Sequence, residues 1–565
     1  MARWAVGLMP GILGAIGASP GTPVGLVGMR GRKKLTIGIV LVGIALVLAA
    51  FPEIREAYSD RQDQRKLDQG RALAGVYCAS CHLEPAPDIL PKRSWRAVLG
   101  YMGYFLGIEN IDYLADDPEL ARVNISAKRD YLLLEGMLPT SPQLDESDWD
   151  ALRYYYVETA PADAFPQSGK PPLHWDLPQF RIVQSNYRAR PGVTTLVHIR
   201  EESGETYIGD SASNTLAVLG GDGQLAFQPR RFGPAMLPVD IEFTDDSAFV
   251  ASIGDLFAQR PSEARLAHIA RLALTEQSIA DSGISVVIAD IYRMADMEVV
   301  DLNDDGVVDF IVSGFGNRKG SVSWFESQGD GGYDEHVLIN RPGSVRVQAH
   351  DFNGDGYLDI AVLLADAREG FYILLNDGAN EFESHTIFET HAAYGHTYFE
   401  LQDFDGDGLM DILAVNGDNV DSDPYNTLKN YHGLRIYLNR GDLRFEEAYF
   451  YPMYGAFGAR AADFDNDGDL DIVAISFYPD FAADRRESFV YLQNDGGLVF
   501  SAYTNEALMG GRWMTLDVGD MDGDGDVDVV LGGAYIDTGM FAYMDDFREL
   551  AETGPSVLIL KNTRY

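Results

Sequence analysis

The sequence predicts a multidomain chain with an apolar N-terminal helix, an all-α domain and an all-β seven-bladed propeller. Three features carry this prediction: an apolar run near the N terminus, a helical stretch around the two cysteines, and an acidic loop that occurs five times. The predicted boundaries are residues 1–34 for an N-terminal extension with a basic end, 35–51 for a signal anchor or transmembrane helix, 52–160 for the all-α domain, 161–179 for a proline-rich linker and 180–565 for the propeller.

The acidic loop has nine residues of the form D-x-[DN]-x-D-G-x-x-D. Side-chain oxygens at positions one, three, five and nine, with a glycine at position six, suit a hard cation that takes six to eight oxygen ligands. Calcium fits this set better than magnesium, which prefers a smaller and stricter octahedron. We therefore predict about five bound Ca²⁺ ions, one in each loop. The predicted ligands are Asp301, Asn303, Asp305, Asp309, Asp351, Asn353, Asp355, Asp359, Asp403, Asp405, Asp407, Asp411, Asp463, Asp465, Asp467, Asp471, Asp520, Asp522, Asp524 and Asp528.

The loops are not EF-hands, because position twelve is an apolar residue and not the glutamate that an EF-hand requires. Each loop instead leads into an apolar, β-branched stretch typical of a strand. By subtraction of their residue numbers, the loop starts lie 50, 52, 60 and 57 residues apart. A period of about 40–60 residues with several short strands is typical of propeller blades.

Two weaker repeats precede the five loops and raise the expected number of blades to seven. In the first, the segments 194–199, 205–208 and 214–227 repeat the strand pattern without an acidic loop. In the second, residues 240–246 occupy the loop position but lack the glycine, so calcium is not expected there. We expect residues 180–184 to supply the missing strand of the last blade and to close the ring.

These repeats resemble the FG-GAP/VCBS repeats, and the resemblance covers about residues 180–565. It implies a calcium-binding seven-bladed propeller like the head of the integrin α subunit. In such a propeller the cation has a structural role, because it cross-links carboxylates that would otherwise repel one another.

Both cysteines of the chain fall in the motif Cys78-Ala79-Ser80-Cys81-His82. This C-x-x-C-H pattern is typical of covalent attachment of one haem c, with Cys78 and Cys81 as thioether sites and His82 as an iron ligand. A zinc half-site would need further cysteine or histidine partners, and a redox C-x-x-C would need a βαβ context. Helices are expected over residues 54–77, 95–108 and 146–159. The region resembles a class I cytochrome c, and more narrowly the cytochrome module that precedes VCBS propellers in some bacterial proteins.

The sixth iron ligand is left open by the sequence. Met137 is the first candidate, because it follows His82 by 55 residues in a loop beside a proline. Met102 on the apolar second helix is an alternative, although core packing would also explain it. His174 and an open coordination position remain as further alternatives.

The N-terminal region predicts export and attachment to a membrane. Basic residues 30–34 precede the apolar run 35–51, so the amino-terminal side is expected to stay cytoplasmic and the rest to be exported. An uncleaved anchor or a cleaved signal, and a start at Met1 or Met29, are both left open. We expect a protein of the bacterial inner membrane whose soluble part lies in the periplasm.

The net charge of −42, without a basic stripe, disfavours binding to nucleic acid. The sequence favours a one-electron transfer protein over an enzyme, with the propeller binding a partner or substrate and a basic redox protein as the expected partner. A haem-linked propeller dehydrogenase and an adhesion or scaffold protein are the alternatives. Longer segments around residues 391–396, 416–433 and 476–481 interrupt the repeat, either to bind a ligand or to pack between blades.

Overall fold

A computed structural model describes residues 52–114, 129, 133, 136–233, 236–256, 265–274, 283–316, 319–329, 331–366, 368–419, 423 and 425–563. The chain divides into two units, residues 1–68 and residues 69–565. The predicted membrane span, residues 35–51, lies outside the described residues. Among the described helices, none combines the length and the apolarity that are needed to cross a bilayer.

Three helices form where the sequence predicts them: α1 (Pro52–Tyr77), α2 (Lys92–Phe105) and α3 (Glu146–Thr159). Helix α2 ends three residues earlier than expected because Gly107 takes a positive φ of 75° just after it. The carboxylate of Asp145 caps α3 by accepting the backbone N–H of Asp148 at 2.8 Å. Helix α1 crosses close to α3 at Gly70, where a Cβ atom would lie 2.1 Å from the carbonyl oxygen of Ala151.

Aromatic side chains form the core of this helical part. Trp95 of α2 and Tyr156 of α3 are fully or almost fully buried, and their ring centroids lie 4.3 Å apart. Leu99 and Leu152 complete the centre of the cluster, and Cys78 lies at its border. The C-x-x-C-H motif is therefore fixed against a packed core at one end.

The described strands between residues 173 and 562 form seven sheets, which are the predicted seven blades. A short strand β1 (Leu173–His174) and the closing strand β2 (Phe180–Gln184) precede the first blade. The remaining strands are, by blade, β3 (Thr194–Arg200), β4 (Glu205–Asp210), β5 (Thr215–Leu219) and β6 (Arg230–Arg231); β7 (Pro238–Phe243), β8 (Ser247–Ser252), β9 (Ala267–Ala273) and β10 (Ile284–Ile291); β11 (Met294–Val300), β12 (Asp309–Gly314), β13 (Ser321–Ser327) and β14 (Tyr333–Ile339); β15 (Ser344–His350), β16 (Asp359–Leu364), β17 (Glu369–Asn376) and β18 (Phe382–Thr390); β19 (His396–Gln402), β20 (Asp411–Asn416), β21 (Gly433–Asn439) and β22 (Phe445–Pro452); β23 (Ala456–Ala462), β24 (Asp471–Ser476), β25 (Phe489–Asn494) and β26 (Phe500–Tyr503); and β27 (Trp513–Gly519), β28 (Asp528–Gly533) and β29 (Val557–Asn562).

The first strands of successive blades contact one another around the ring, from β3 through β7, β11, β15, β19 and β23 to β27 and back to β3. They therefore line the central channel. Because each blade is an antiparallel meander, connections between first and second strands all lie on one face, which we call the loop face. Connections between second and third strands lie on the opposite face, which we call the insert face.

The N-terminal strand closes the ring as predicted. Strand β2 pairs antiparallel with β29 and completes the seventh blade with four strands. The segment that precedes β2 runs along the sixth blade, where β1 pairs parallel with β26. The side-chain amide of Gln167 donates to the carbonyl of His432 at 3.1 Å, and Lys170 forms an ion pair with Glu487. The proline-rich segment is thus anchored at several points along its length.

The second blade departs from the sequence prediction. Asp240 and Glu242 lie on the first strand β7, and not in the connection that follows it. The carboxylate of Asp240 accepts the backbone N–H of Met297 in the next blade at 3.1 Å. This segment lacks the glycine of the acidic loop, so the sequence alone did not distinguish a strand from a loop at these residues.

Candidate functional site

The five acidic loops share one backbone conformation on the loop face. In each, the carboxylate at position one accepts the backbone N–H groups of positions five and six. In the first loop, for example, Asp301 accepts from Asp305 at 3.0 Å and from Gly306 at 2.8 Å. The position-five carboxylate then accepts the N–H of position seven, as Asp305 does from Val307 at 2.8 Å. These hydrogen bonds hold the loop backbone in its conformation without a contribution from a cation.

The glycine at position six is required by the backbone. Its φ lies in the left-handed region in all five loops, and a side chain there would be strained. The values are 83° at Gly306, 93° at Gly356, 89° at Gly408, 96° at Gly468 and 91° at Gly525.

Three of the loops bring carboxylate oxygens within 4.8 Å of one another, and those groups are Asp403 with Asp405 and Asp411, Asp463 with Asp465 and Asp467, and Asp520 with Asp522 and Asp524. In the first two loops position three is an asparagine. Its amide donates to the position-five carboxylate, from Asn303 to Asp305 at 3.4 Å and from Asn353 to Asp355 at 2.9 Å. Among the described residues, carboxylates are thus brought together in the loops at Asp403, Asp463 and Asp520, and the ligand set of all five loops stays a prediction.

The chemistry of this donor set fits a hard divalent cation. The buried Oδ2 of Asp528 has no hydrogen-bond partner among the described residues, so one carboxylate oxygen is available at this loop. Burial, followed by repulsion from neighbouring carboxylates, raises the pKa of Asp528 to about 7. The same causes raise the pKa of Asp411 to about 6 and that of Asp471 to about 7. A cation would relieve the repulsion that contributes to these shifts.

The aspartate at position nine has a second role that the sequence analysis did not identify. It is buried in every loop, and its Oδ1 accepts the backbone N–H of a residue at the end of the third strand. The five donors are Ser327 at 2.8 Å, Asn376 at 2.8 Å, Asn439 at 2.7 Å, Asn494 at 2.7 Å and Asn562 at 2.8 Å. Position nine therefore joins the second and third strands of its blade, independently of any metal. The asparagine that ends four of these strands was the signal in the sequence.

The central channel contains a second set of carboxylates that the sequence analysis missed. Each accepts a backbone N–H from the first strand of the next blade: Asp296 from Val347 at 2.9 Å, and Asp517 from Ile199 at 2.8 Å. Arg460 forms ion pairs with Asp517 at 3.0 Å and with Glu400 at 3.2 Å. These contacts tie neighbouring blades together around the channel.

Burial in this channel raises the pKa of its carboxyl groups. For Glu298, burial and then the nearby Asp296 raise the pKa to about 7. The same two effects, with burial the larger, raise the pKa of Asp240 above its usual range. Burial in this wall thus favours the protonated form of these carboxyl groups.

The C-x-x-C-H motif begins where α1 ends. Tyr77 is the last helical residue, and the backbone N–H of Cys78 still bonds to the carbonyl of Ala74 at 3.0 Å. Cys78 is half-buried and Cys81 is exposed, and both are free thiols. The Nδ1 of His82 lies 2.8 Å from the carbonyl oxygen of Leu83. That bond leaves Nε2 of His82 as the nitrogen available to a metal.

The surroundings of the motif also fit a large apolar group. Val76 and Leu83, which flank the motif, are 64% and 43% exposed. Burial raises the pKa of the Cys78 thiol, and the hydroxyl of Tyr156 faces it. The structure thus places a thiol pair, a histidine and uncovered apolar side chains together, as the attachment of haem c would require.

The three residues considered as a sixth ligand lie in different surroundings. Met102 packs against the apolar cluster that Cys78 borders, whereas Met137 lies in a loop and is 40% exposed. His174 belongs to β1, where its ring stacks on Tyr503 with centroids 5.3 Å apart.

Residues 425–432, which lie between β20 and β21 and which we call the fifth-blade insert, contact the helical part from the insert face. The hydroxyl of Tyr431 donates to the carbonyl of Ile89 at 3.3 Å, and the hydroxyls of Thr427 and Ser94 lie 2.8 Å apart. Burial, and then the nearby His82, lower the pKa of His391 to about 4. The propeller thus faces the C-x-x-C-H motif with its insert face.

Residues 301–362, 351–414 and 420–474 match the family described as FG-GAP-like repeat. No curated protein sequence is significantly similar to the chain. Solved structures that match the chain include Saccharomyces cerevisiae Sqt1, with 10% identity, 67% of this chain and 98% of that chain covered, and a TM-score of 0.40. The N-terminal domain of Nup159 has 11% identity, 71% and 99% coverage, and a TM-score of 0.37. The chain thus carries FG-GAP repeats within a seven-bladed β-propeller.

Proposed function

We propose that the chain is an exported mono-haem electron-transfer protein whose calcium-loaded propeller is a binding module. The observation that carries the haem assignment is the geometry of His82 within the C-x-x-C-H motif. Its Nδ1 is held by the carbonyl of Leu83, and its Nε2 is left for the iron. Cys78 and Cys81 would hold the haem covalently, and the five acidic loops would hold Ca²⁺.

A bound haem c would accept and release one electron at its iron. The chain's own residues would supply the environment of that group. The carbonyl of Leu83 would orient the His82 ring, and the apolar side chains of Val76 and Leu83 would exclude water from one side. The fifth-blade insert would cover another side through Tyr431, which already contacts the segment after the motif.

We expect a methionine to complete the iron coordination, with Met137 as our first candidate and Met102 as the second. Met137→Ala should remove the sulfur-to-iron charge-transfer band of the oxidised protein and lower the reduction potential, because methionine ligation raises it. Met102→Ala is the matched variant, because it removes a methionine from the apolar cluster near Cys78. If Met102→Ala removes the band and Met137→Ala does not, the assignment to Met137 is wrong.

We expect the redox partner to be a protein with a basic docking patch, because the chain carries a net charge of −42. Oxidation of the reduced haem by a small basic cytochrome should slow as ionic strength rises, whereas an acidic cytochrome should react slowly throughout. Stopped-flow absorbance over a salt series measures both rates.

The structure allows a sharper version of this test. Glu84 and Asp88 are exposed and follow His82 by two and six residues, whereas Asp304 is exposed in a loop of the loop face. Neutralising Glu84 and Asp88 together should slow the reaction with the basic cytochrome at low salt, and Asp304→Asn should leave it nearly unchanged. A rate that does not respond to salt, or that is higher with the acidic cytochrome, would refute docking by charge.

FG-GAP repeats also support a second candidate, a binding or scaffold protein in which the haem is secondary. A haem that periplasmic donors do not reduce would favour this role. A propeller dehydrogenase would need a further redox cofactor, which the absorption spectrum of the purified protein would reveal. In each case we propose that residues 35–51 attach the chain to the bacterial inner membrane, with residues 52–565 in the periplasm.

A further inference from the structure

The five acidic loops differ at one register position on the neighbouring third strand. On each third strand, one residue donates its backbone N–H to the position-nine aspartate. The residue directly before that donor differs in type from blade to blade. In the third blade it is Glu326, which accepts from the amide of Asn303 at 3.2 Å. In the sixth it is Gln493, which donates to Asp465 at 2.6 Å. The full set is Glu326, Leu375, Leu438, Gln493 and Lys561.

Lys561 brings a positive charge to the loop of the seventh blade. Its ammonium donates to Oδ2 of Asp522, at position three, at 2.5 Å. It also donates to the carbonyl of Gly221 in the first blade at 2.6 Å. Lys561 is only 8% exposed, so little water screens its charge.

These contacts lie at the seam where the propeller closes. Strand β29, which carries Lys561, pairs with the N-terminal strand β2, and Gly221 belongs to the blade next around the ring. A divalent cation in the same loop would be repelled by the ammonium and would share Asp522 with it. A buried ammonium that already pairs with a ligand therefore opposes the binding of a cation at this loop.

We propose that Lys561 is the internal counter-ion of the loop at Asp520, so that this loop binds calcium more weakly than the other four and the seam holds without it. This inference rests on the proposed calcium function. The loop at Asp403 offers a natural contrast. Arg440 donates to its position-three residue Asp405 at 2.8 Å, but the Arg440 side chain is 42% exposed, so solvent screens its charge.

The test is a calorimetric titration of the full chain with Ca²⁺, after removal of metal by chelation. In the unsubstituted protein, one site should be weaker than the rest. Lys561→Met keeps the apolar stem and removes the charge, and it should raise the affinity of that one site by about tenfold or more. Lys561→Arg should leave the site weak, and Arg440→Met should change its own loop by a smaller factor.

A double variant assigns the effect to the loop. When Asp520→Asn has disabled that loop, Lys561→Met should no longer change any calcium affinity. Circular dichroism in the presence of calcium checks that each variant is folded, and Lys561→Gln replaces Lys561→Met if the latter is not. Unchanged affinities in both folded charge-removing variants, or a gain that persists with Asp520→Asn, would overturn the inference. Absence of calcium binding in the unsubstituted protein would instead overturn the proposed calcium function itself.

Discussion

Removal of bound calcium by a chelator is expected to lower the melting temperature of the propeller by about 10 °C or more. Each loop gathers several carboxylates that a cation would cross-link, and a site at one hundred times its Kd contributes about 2.7 kcal/mol to the free energy of unfolding. Several such sites in one ring together give a large effect. Addition of calcium should restore the original melting temperature.

Differential scanning calorimetry with and without chelator measures this shift. Asp407→Ala removes a position-five ligand and should lose one ion and part of the shift. Asp304→Asn, at an exposed residue that is not a predicted ligand, should behave like the unsubstituted chain, because asparagine tolerates the φ of 58° found there. A melting temperature that stays the same under thorough chelation would contradict a structural role for calcium.

Asp471→Ala is expected to destabilise the sixth blade by about 3 kcal/mol or more, even in the absence of calcium. Asp471 is fully buried, and its two oxygens accept the N–H of Asn494 and the hydroxyl of Tyr491, each at 2.7 Å. Removing the carboxylate leaves both donors buried without a partner. The loss of a ligand adds to this cost when calcium is present.

Asp467→Ala is the matched control, because Asp467 is an exposed predicted ligand of the same loop. Urea unfolding of both variants, with calcium and with chelator, separates the two roles. In chelator, Asp471→Ala should remain strongly destabilised and Asp467→Ala should lie close to the unsubstituted chain. If Asp471→Ala is as stable as the unsubstituted chain in chelator, position nine acts through the cation alone and the prediction is wrong.

The repeated parts of the fold could be predicted from the sequence. The five acidic loops and the two weaker repeats before them predicted seven blades, and residues 180–184 were the expected strand that closes the ring. Local signals sufficed for these features, because each loop carries its own glycine and each strand its own apolar pattern. The three helices of the cysteine-containing region were also predicted from the local residue pattern of each segment.

Features that depend on contacts between distant residues could not be predicted. Asp240 and Glu242 looked like loop residues, because only the pairing of β7 with β8 in the same blade shows that they lie on a strand. The contact between Tyr431 and Ile89 joins residues 342 positions apart, and no local pattern indicates it. The hydrogen bonds of Lys561 with Asp522 and Gly221 likewise could not be predicted, because the sequence around Lys561 does not indicate these partners.

The most direct test of the proposed function is the intact mass of the chain, purified from cells that attach haem to exported proteins. We predict that the mass of one haem is added to the unsubstituted chain and to Ser80→Ala, a neutral change inside the motif. Cys78→Ser combined with Cys81→Ser should carry none. An unsubstituted chain of unmodified mass, or a haem that is lost on denaturation, would contradict covalent attachment and with it the electron-transfer role proposed for this protein.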